Sequence, residues 1–119
     1  MQSYKDLEIY KIAHGIALKI HKLSLRLPDF EKYEEASQIR RASKSISANI
    51  VEGFGRRRYK QDYIRFLVVA HSSCDETKEH LKYLFETGSF QDKKLFVDLD
   101  EDLTQLSKKI SKFIEAVDR

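Results

Sequence analysis

The chain has 119 residues, 41% hydrophobic and 34% charged, with one Pro, four Gly and no Trp, which is one domain's worth of helix-favouring protein with a core thin enough that self-association would help it. The lone Cys74 cannot close an internal disulfide, no apolar leader opens the sequence, and no stretch approaches the roughly 18 apolar residues that span a bilayer. A disulfide scaffold and a helical membrane protein are thereby excluded, a cytoplasmic protein is expected, and the net charge of +3 does not by itself demand a polyanionic partner.

From Ser3 onward Leu7, Ile9, Tyr10, Ile12, Ala13, Ile16, Ala17, Ile20, Leu23 and Leu27 recur at steps of three and four, the spacing of one helix face. Ser3 with Asp6 forms a capping-box signature and Pro28 ends the run, so a first helix is predicted over about 4–27. Residues 29–33 are read as its connection to a second helix over about 34–54, carried by Ala36, Ile39, Ala42, Ile46, Ile50 and Phe54 and ended by Gly53 and Gly55. A third helix over about 59–87 holds Tyr63, Phe66, Leu67, Ala70, Cys74, Leu81, Leu84 and Phe85, with Ile64, Val68 and Val69 as a second apolar flank. The fourth, about 90–118, carries Phe96, Leu99, Leu103, Leu106, Ile110, Phe113 and Val117, a three-four seam with the period of about 3.5 seen in coiled coils. No segment alternates with period two, and the connections are short. The expected fold is all-α, a single antiparallel up-down-up-down four-helix bundle over 1–119.

The second helix carries Ala42, Ser43, Ser45, Ser47, Ala48, Asn49 and Gly53 where a core helix would carry Leu, and small residues let a neighbouring backbone come close. Arg41, Ser45, Asn49 and Glu52 lie three or four apart and form one polar stripe; Arg65, Ser72 and Glu76 form another on the third helix. Folding the two helices antiparallel at a register sum of 117 would place Arg41 on Glu76, Ser45 on Ser72 and Glu52 on Arg65, a half-buried polar ladder in which each charge is paired. A small-molecule site between the helices is the competing reading.

Catalytic and metal chemistry find little support. The residues three before His14, His21, His71 and His80 are Lys11, Leu18, Val68 and Thr77, so the Glu-x-x-His pairs of di-iron bundles are missing; Glu76 and His80 share a face, but one such pair makes no metal site. Cys74 lies on the apolar stripe as a small core residue. Gly53-Phe54-Gly55 lacks the Lys-Ser/Thr of a phosphate loop. No enzyme motif, metal site or cofactor is expected. Charge, by contrast, is uneven. Residues 40–60 contain Arg40, Arg41, Lys44, Arg56, Arg57, Arg58 and Lys60 against Glu52 alone. With Tyr59 beside the three consecutive arginines, phosphate contacts and base stacking are both available, so Arg40, Lys44, Arg56, Arg57, Arg58, Tyr59 and Lys60 are the candidate nucleic-acid contacts.

The run Gln38-Ile39-Arg40-Arg41-Ala42, then Ser45-Ile46-x-Ala48-Asn49-Ile50-Val51-Glu52-Gly53-Phe54-Gly55-Arg56, then Phe66-Leu67 and Ala70-x-x-Ser73-x-x-Glu76, resembles the four-helix-bundle family of 23S rRNA intervening-sequence proteins, also called S23 ribosomal proteins. Leu7 to Ala13 and Pro28-x-x-Glu31-x-Tyr33 fit as well, so the resemblance covers most of the chain. It implies a bacterial, non-enzymatic protein that forms a ring-like homopentamer, related to the accessory proteins of diversity-generating retroelements, which bind nucleic acid and a reverse transcriptase. The resulting expectation is a homo-oligomeric bundle that contacts RNA or DNA through the basic connection. The alternative is a protein-binding adaptor ring.

Overall fold

Four long helices are what the periodic apolar stripes dictate, and the computed structural model, which describes residues 3–119, contains them: α1 (Glu8–Ser24), α2 (Glu35–Gly55), α3 (Lys60–Glu86) and α4 (Lys93–Asp118). Each helix packs antiparallel against the next, and α4 returns to α1, so the bundle closes in chain order. Its extents are 44 × 24 × 20 Å. The core runs the length of this box: Ile20, Ile39, Ile46, Ile50, Leu67, Leu81, Leu84, Leu99, Leu103, Leu106 and Ile110 are all fully buried.

Helix ends depart from the periodicity where backbone chemistry overrides it. Ser3 and Asp6 do form the capping box, but it caps a single 3-10 turn, Tyr4–Asp6. Leu7 then adopts an extended conformation (φ −71°, ψ 129°), and α1 starts only at Glu8; the break turns the Leu7 side chain into the core. At the other end α1 stops at Ser24, three residues before the expected Leu27. Pro28 disfavours helical backbone at the residue before it, and the N–H groups of Arg26 and Leu27 close onto Leu23 and Ser24 in tighter i−3 turns. The fourth helix begins at Lys93, where Asp92 accepts from the N–H of Leu95. Gly88, at φ +80°, allows the reversal that precedes it. The Phe90 N–H bonds to the Leu84 carbonyl and its ring packs edge-on against Phe85.

Helix α3 packs directly against the backbone of α2 at Gly53. A Cβ there would lie 3.0 Å from Phe66 Cβ and 3.2 Å from Tyr63 Cδ1, both on the first two turns of α3, so the missing side chain is the space α3 occupies. Ala42 and Ser43 are buried along the same helix. Between α3 and α4 the packing is conventional, with Cys74 Sγ donating to the Leu103 carbonyl at 3.3 Å and Lys78 Nζ to Thr104 Oγ1 at 2.6 Å. Glycine to alanine substitutions separate close approach from helix propensity. Gly53→Ala should destabilise the bundle by about 1–2 kcal/mol, because overpacking against Phe66 outweighs the propensity gain. Gly15→Ala, with nothing within 4 Å of the new Cβ, should stabilise by up to about 1 kcal/mol. Urea melts of the two variants check both signs.

Candidate nucleic-acid interface

The connection from Arg56 to Tyr59 is tight, and two of its arginines are consumed by it. The Arg57 guanidinium lies 4.0 Å from the centroid of the Phe54 ring and donates through Nη1 to the Phe54 carbonyl at 2.9 Å. It therefore caps the C-terminal end of α2, where a cation opposes the helix dipole favourably. It also sits near Tyr63, whose phenol is raised above its ordinary pKa by burial, with Arg57 acting in the opposite direction. Arg56 is held by Glu52 at 3.3 Å and Asp62 at 3.9 Å, and covers the Phe66 ring. Arg58, Tyr59 and Lys60 are different. They are exposed, as Arg56 and Arg57 are, with 62% of Tyr59 accessible, but neither Arg58 nor Lys60 has an ion-pair partner among the described residues.

Arg40 and Lys44 do not join this group. Arg40 Nη1 donates to Ser24 Oγ at 3.0 Å, and that hydroxyl donates to the His21 carbonyl at 2.7 Å, so Arg40 ties α2 to the end of α1. It lies 16 residues before Arg56, about 24 Å along the helix axis at 1.5 Å per residue. Lys44 is exposed but about 18 Å from the same end. What does reach the basic end is the last part of α4, which the antiparallel topology brings back beside the connection: Phe113 meets Tyr63 edge-on at 5.9 Å between centroids. Lys109 pairs there with Glu8 and holds its carboxyl below the ordinary range through their hydrogen bond, and the exposed Lys112 faces Asp6 and Glu8; Lys108, next to the Ser107 that meets His71, lies about as far from the connection as Lys44 does.

The expected polar ladder is corrected in register and in partners. Ser45 bonds to Ser73, at 2.9 Å, and Asn49 Nδ2 donates back to Ser45 Oγ at 2.9 Å; Ser72 points to solvent. The pairing sum is 118 rather than 117, and one residue of slip rotates a helical side chain by about 100°. Glu52 pairs with Arg56 on its own chain segment and Arg65 with Asp62 at 3.0 Å, not with each other. Arg41 and Glu76 share a shallow hollow with Gln38 and Ser45 but form no ion pair. Arg41, Glu52, Arg65 and Glu76 are all exposed, so the charges rim the helix pair. Glu76 instead meets His80 Nε2 at 3.2 Å, and His80 Nδ1 meets Glu35 at 2.6 Å. That carboxylate–imidazole–carboxylate clamp fastens the start of α2 to α3.

Ser107 Oγ lies 3.0 Å from His71 Nε2, and His71 Nδ1 lies 3.8 Å from Asp75, which has the connectivity of a nucleophilic triad. The geometry serves packing. Ser107 is in mid-helix, where backbone N–H groups are spent on i−4 carbonyls and cannot hold an oxyanion. The same holds for Cys74: it is buried, and burial pushes its thiol up to about 12, the opposite of an activated nucleophile. Among the described residues no group of three ligating side chains could hold a metal ion, and no helix is long and apolar enough to cross a membrane.

Fold and site together define an all-α four-helix bundle with a basic connection between its second and third helices. Residues 5–112 match the family of 23S rRNA-intervening sequence proteins, and the chain belongs to that family. Among solved structures it is similar to a protein of unknown function from the S23 ribosomal protein family of Bacteroides thetaiotaomicron. That match has 25% identity and a TM-score of 0.80, and covers 89% of this chain and 97% of the other. No curated protein matches it.

The division of the arginines is directly testable. Arg57→Ala should cost about 1–1.5 kcal/mol of stability through the lost cap and ring contact, whereas Arg58→Ala should fall within about 0.5 kcal/mol of wild type, as exposed, unpaired positions do. Equilibrium urea unfolding of the two variants gives both values.

Proposed function

We propose that this protein is a non-enzymatic, homo-oligomeric bundle that contacts RNA or DNA through Arg58, Tyr59 and Lys60. The observation that carries the reading is that these three side chains stand exposed and unpaired beside arginines already committed to the fold. Two cations supply phosphate contacts, and the accessible Tyr59 ring offers a stacking surface that suits unpaired bases. The family's ring-forming habit, carried over to this chain, makes the oligomer a pentamer, and symmetry would then repeat a small patch five times, turning weak contacts into useful avidity.

Two measurements test this reading. Light scattering coupled to size exclusion should give a mass near five times the 14.0 kDa chain; a clean monomer at micromolar concentration contradicts the assembly. Anisotropy of a labelled single-stranded RNA should fall steeply with salt, at about 0.7 in log–log slope per phosphate engaged. Arg58→Ser with Lys60→Ser should flatten that slope while helicity and oligomer mass stay unchanged. Replacing all three arginines would be the wrong variant, since Arg57 holds the end of α2. If the wild type retains no RNA or DNA at about 50 mM salt, where the electrostatic attraction is strong, the nucleic-acid reading fails and the adaptor reading replaces it.

A further inference from the structure

The outer face of α1 is unpartnered within the chain. Lys11, Leu18 and Leu25 recur at heptad spacing with Lys22 between the leucines, and all four are exposed. Leu18 is 54% and Leu25 69% accessible. No Asp or Glu occurs from Ile9 to Pro28. Of the basic residues in that stretch, Lys19 pairs with Asp102 of α4, whereas Lys11, Lys22 and Arg26 have no ion-pair partner among the described residues. The face is apolar along its centre and positive at its margins.

A surface of opposite sign runs along the groove between α3 and α4. A hollow of about 460 Å³ there is lined by Asp75, Glu79, Glu86 and Asp100, by the half-buried Phe96 ring and by two lysines. One of these, Lys78, already donates to Thr104 at 2.6 Å and lies 3.9 Å from Asp100. Glu79 and Glu86 are exposed and have no ion-pair partner among the described residues, and Val97, next to Phe96, is 45% accessible. The groove also stands level with the α1 face. Lys19 and Lys78 reach the same turn of α4, through Asp102 and Asp100, and α1 and α3 run in the same direction, so the stretch from Leu18 to Arg26 is level with the stretch from Asp75 to Glu86.

We infer that the outer face of α1 packs into the α3–α4 groove of a second copy of this chain, Leu25 against Phe96 and Val97, and Lys22 and Arg26 on Glu79 and Glu86. The inference rests on the homo-oligomeric reading above and adds which faces meet. Two α1 faces cannot meet each other, because Lys11, Lys22 and Arg26 would oppose their own copies, so the contact joins two different surfaces, and a contact of that kind builds rings or filaments. In a ring whose axis runs along the bundles, every copy points the same way and none is raised over the next, so the α1 cations of one copy meet the α3 carboxylates of its neighbour without a shift along the axis. The groove starts at α4, the neighbour of α1 in the bundle. The two faces therefore stand at an angle, and repeated contact curves rather than running straight. Neither face uses Arg58, Tyr59 or Lys60, which stay open at the α2–α3 connection.

The test reverses each face in the full-length protein and reads the mass by light scattering coupled to size exclusion over a series of concentrations. Lys22→Glu with Arg26→Glu, and separately Glu79→Lys with Glu86→Lys, should each weaken assembly about 10-fold or more, since like charges would then face each other across every contact. All four side chains are exposed, so the helical circular dichroism should stay unchanged. Combining the two reversals in one chain restores opposite charges at every contact and should return the wild-type mass. Leu18→Ser with Leu25→Ser should also lower the mass, with helicity retained. An oligomeric wild type whose mass neither reversal changes, or a combined variant no larger than the separate reversals, would overturn the assignment of these faces and leave the homo-oligomeric reading standing. A monomeric wild type would overturn both.

Discussion

The approach of α2 to α3 at Gly53 is the constraint on which the rest of this bundle depends. With bare backbone against Phe66 and Tyr63, the two helices can be joined by only a few residues, and the first two arginines of so short a connection find partners on the fold while staying exposed. Arg57 folds back onto Phe54, and Arg56 is held between Glu52 and Asp62. Arg58, Tyr59 and Lys60 are left facing outward. The same approach sets the register further along the pair, where Ser45 finds Ser73 and Glu35 finds His80. Close packing thus sorts an undifferentiated basic run into residues that hold the fold and residues that are free to hold something else.

Much of this could be read from the chain alone. Apolar spacing located all four helices, because burial on one face is what drives them to form, and the small residues of α2 announced a close neighbour. Helix ends were less legible: the break at Leu7 and the late start of α4 follow from turns whose stability depends on tertiary burial of Leu7 and Phe90. The polar ladder shows a sharper limit. A constant register sum identified the right pair of helices, but a slip of one residue separates Ser72, which faces solvent, from Ser73, which faces the core. Charge matching misled for a physical reason. Glu52 and Arg65 each find a partner one turn away, and i,i+3 or i,i+4 pairs form without any long-range ordering, so opposite charges on adjacent helices need not meet.

The two ends of the bundle also show why composition is a poor guide to partners here. A net charge of +3 conceals a basic end at the α2–α3 connection and, about 30 Å away along the 21 residues of α2, an acidic, aromatic-walled end at the α1–α2 connection. The antiparallel topology produces this separation, since it gathers both termini with one connection and leaves the other two connections together.

The central claim is that Arg57 belongs to the fold and Arg58 to the ligand. Arginine Nε–Hε resonances, resolved in a ¹⁵N spectrum and titrated with single-stranded RNA, report on the two side chains separately in one sample. The account predicts that the Arg58 resonance moves in proportion to the bound fraction while that of Arg57 stays in place. A spectrum in which Arg57 shifts and Arg58 does not, or in which neither responds to saturating RNA, would contradict it.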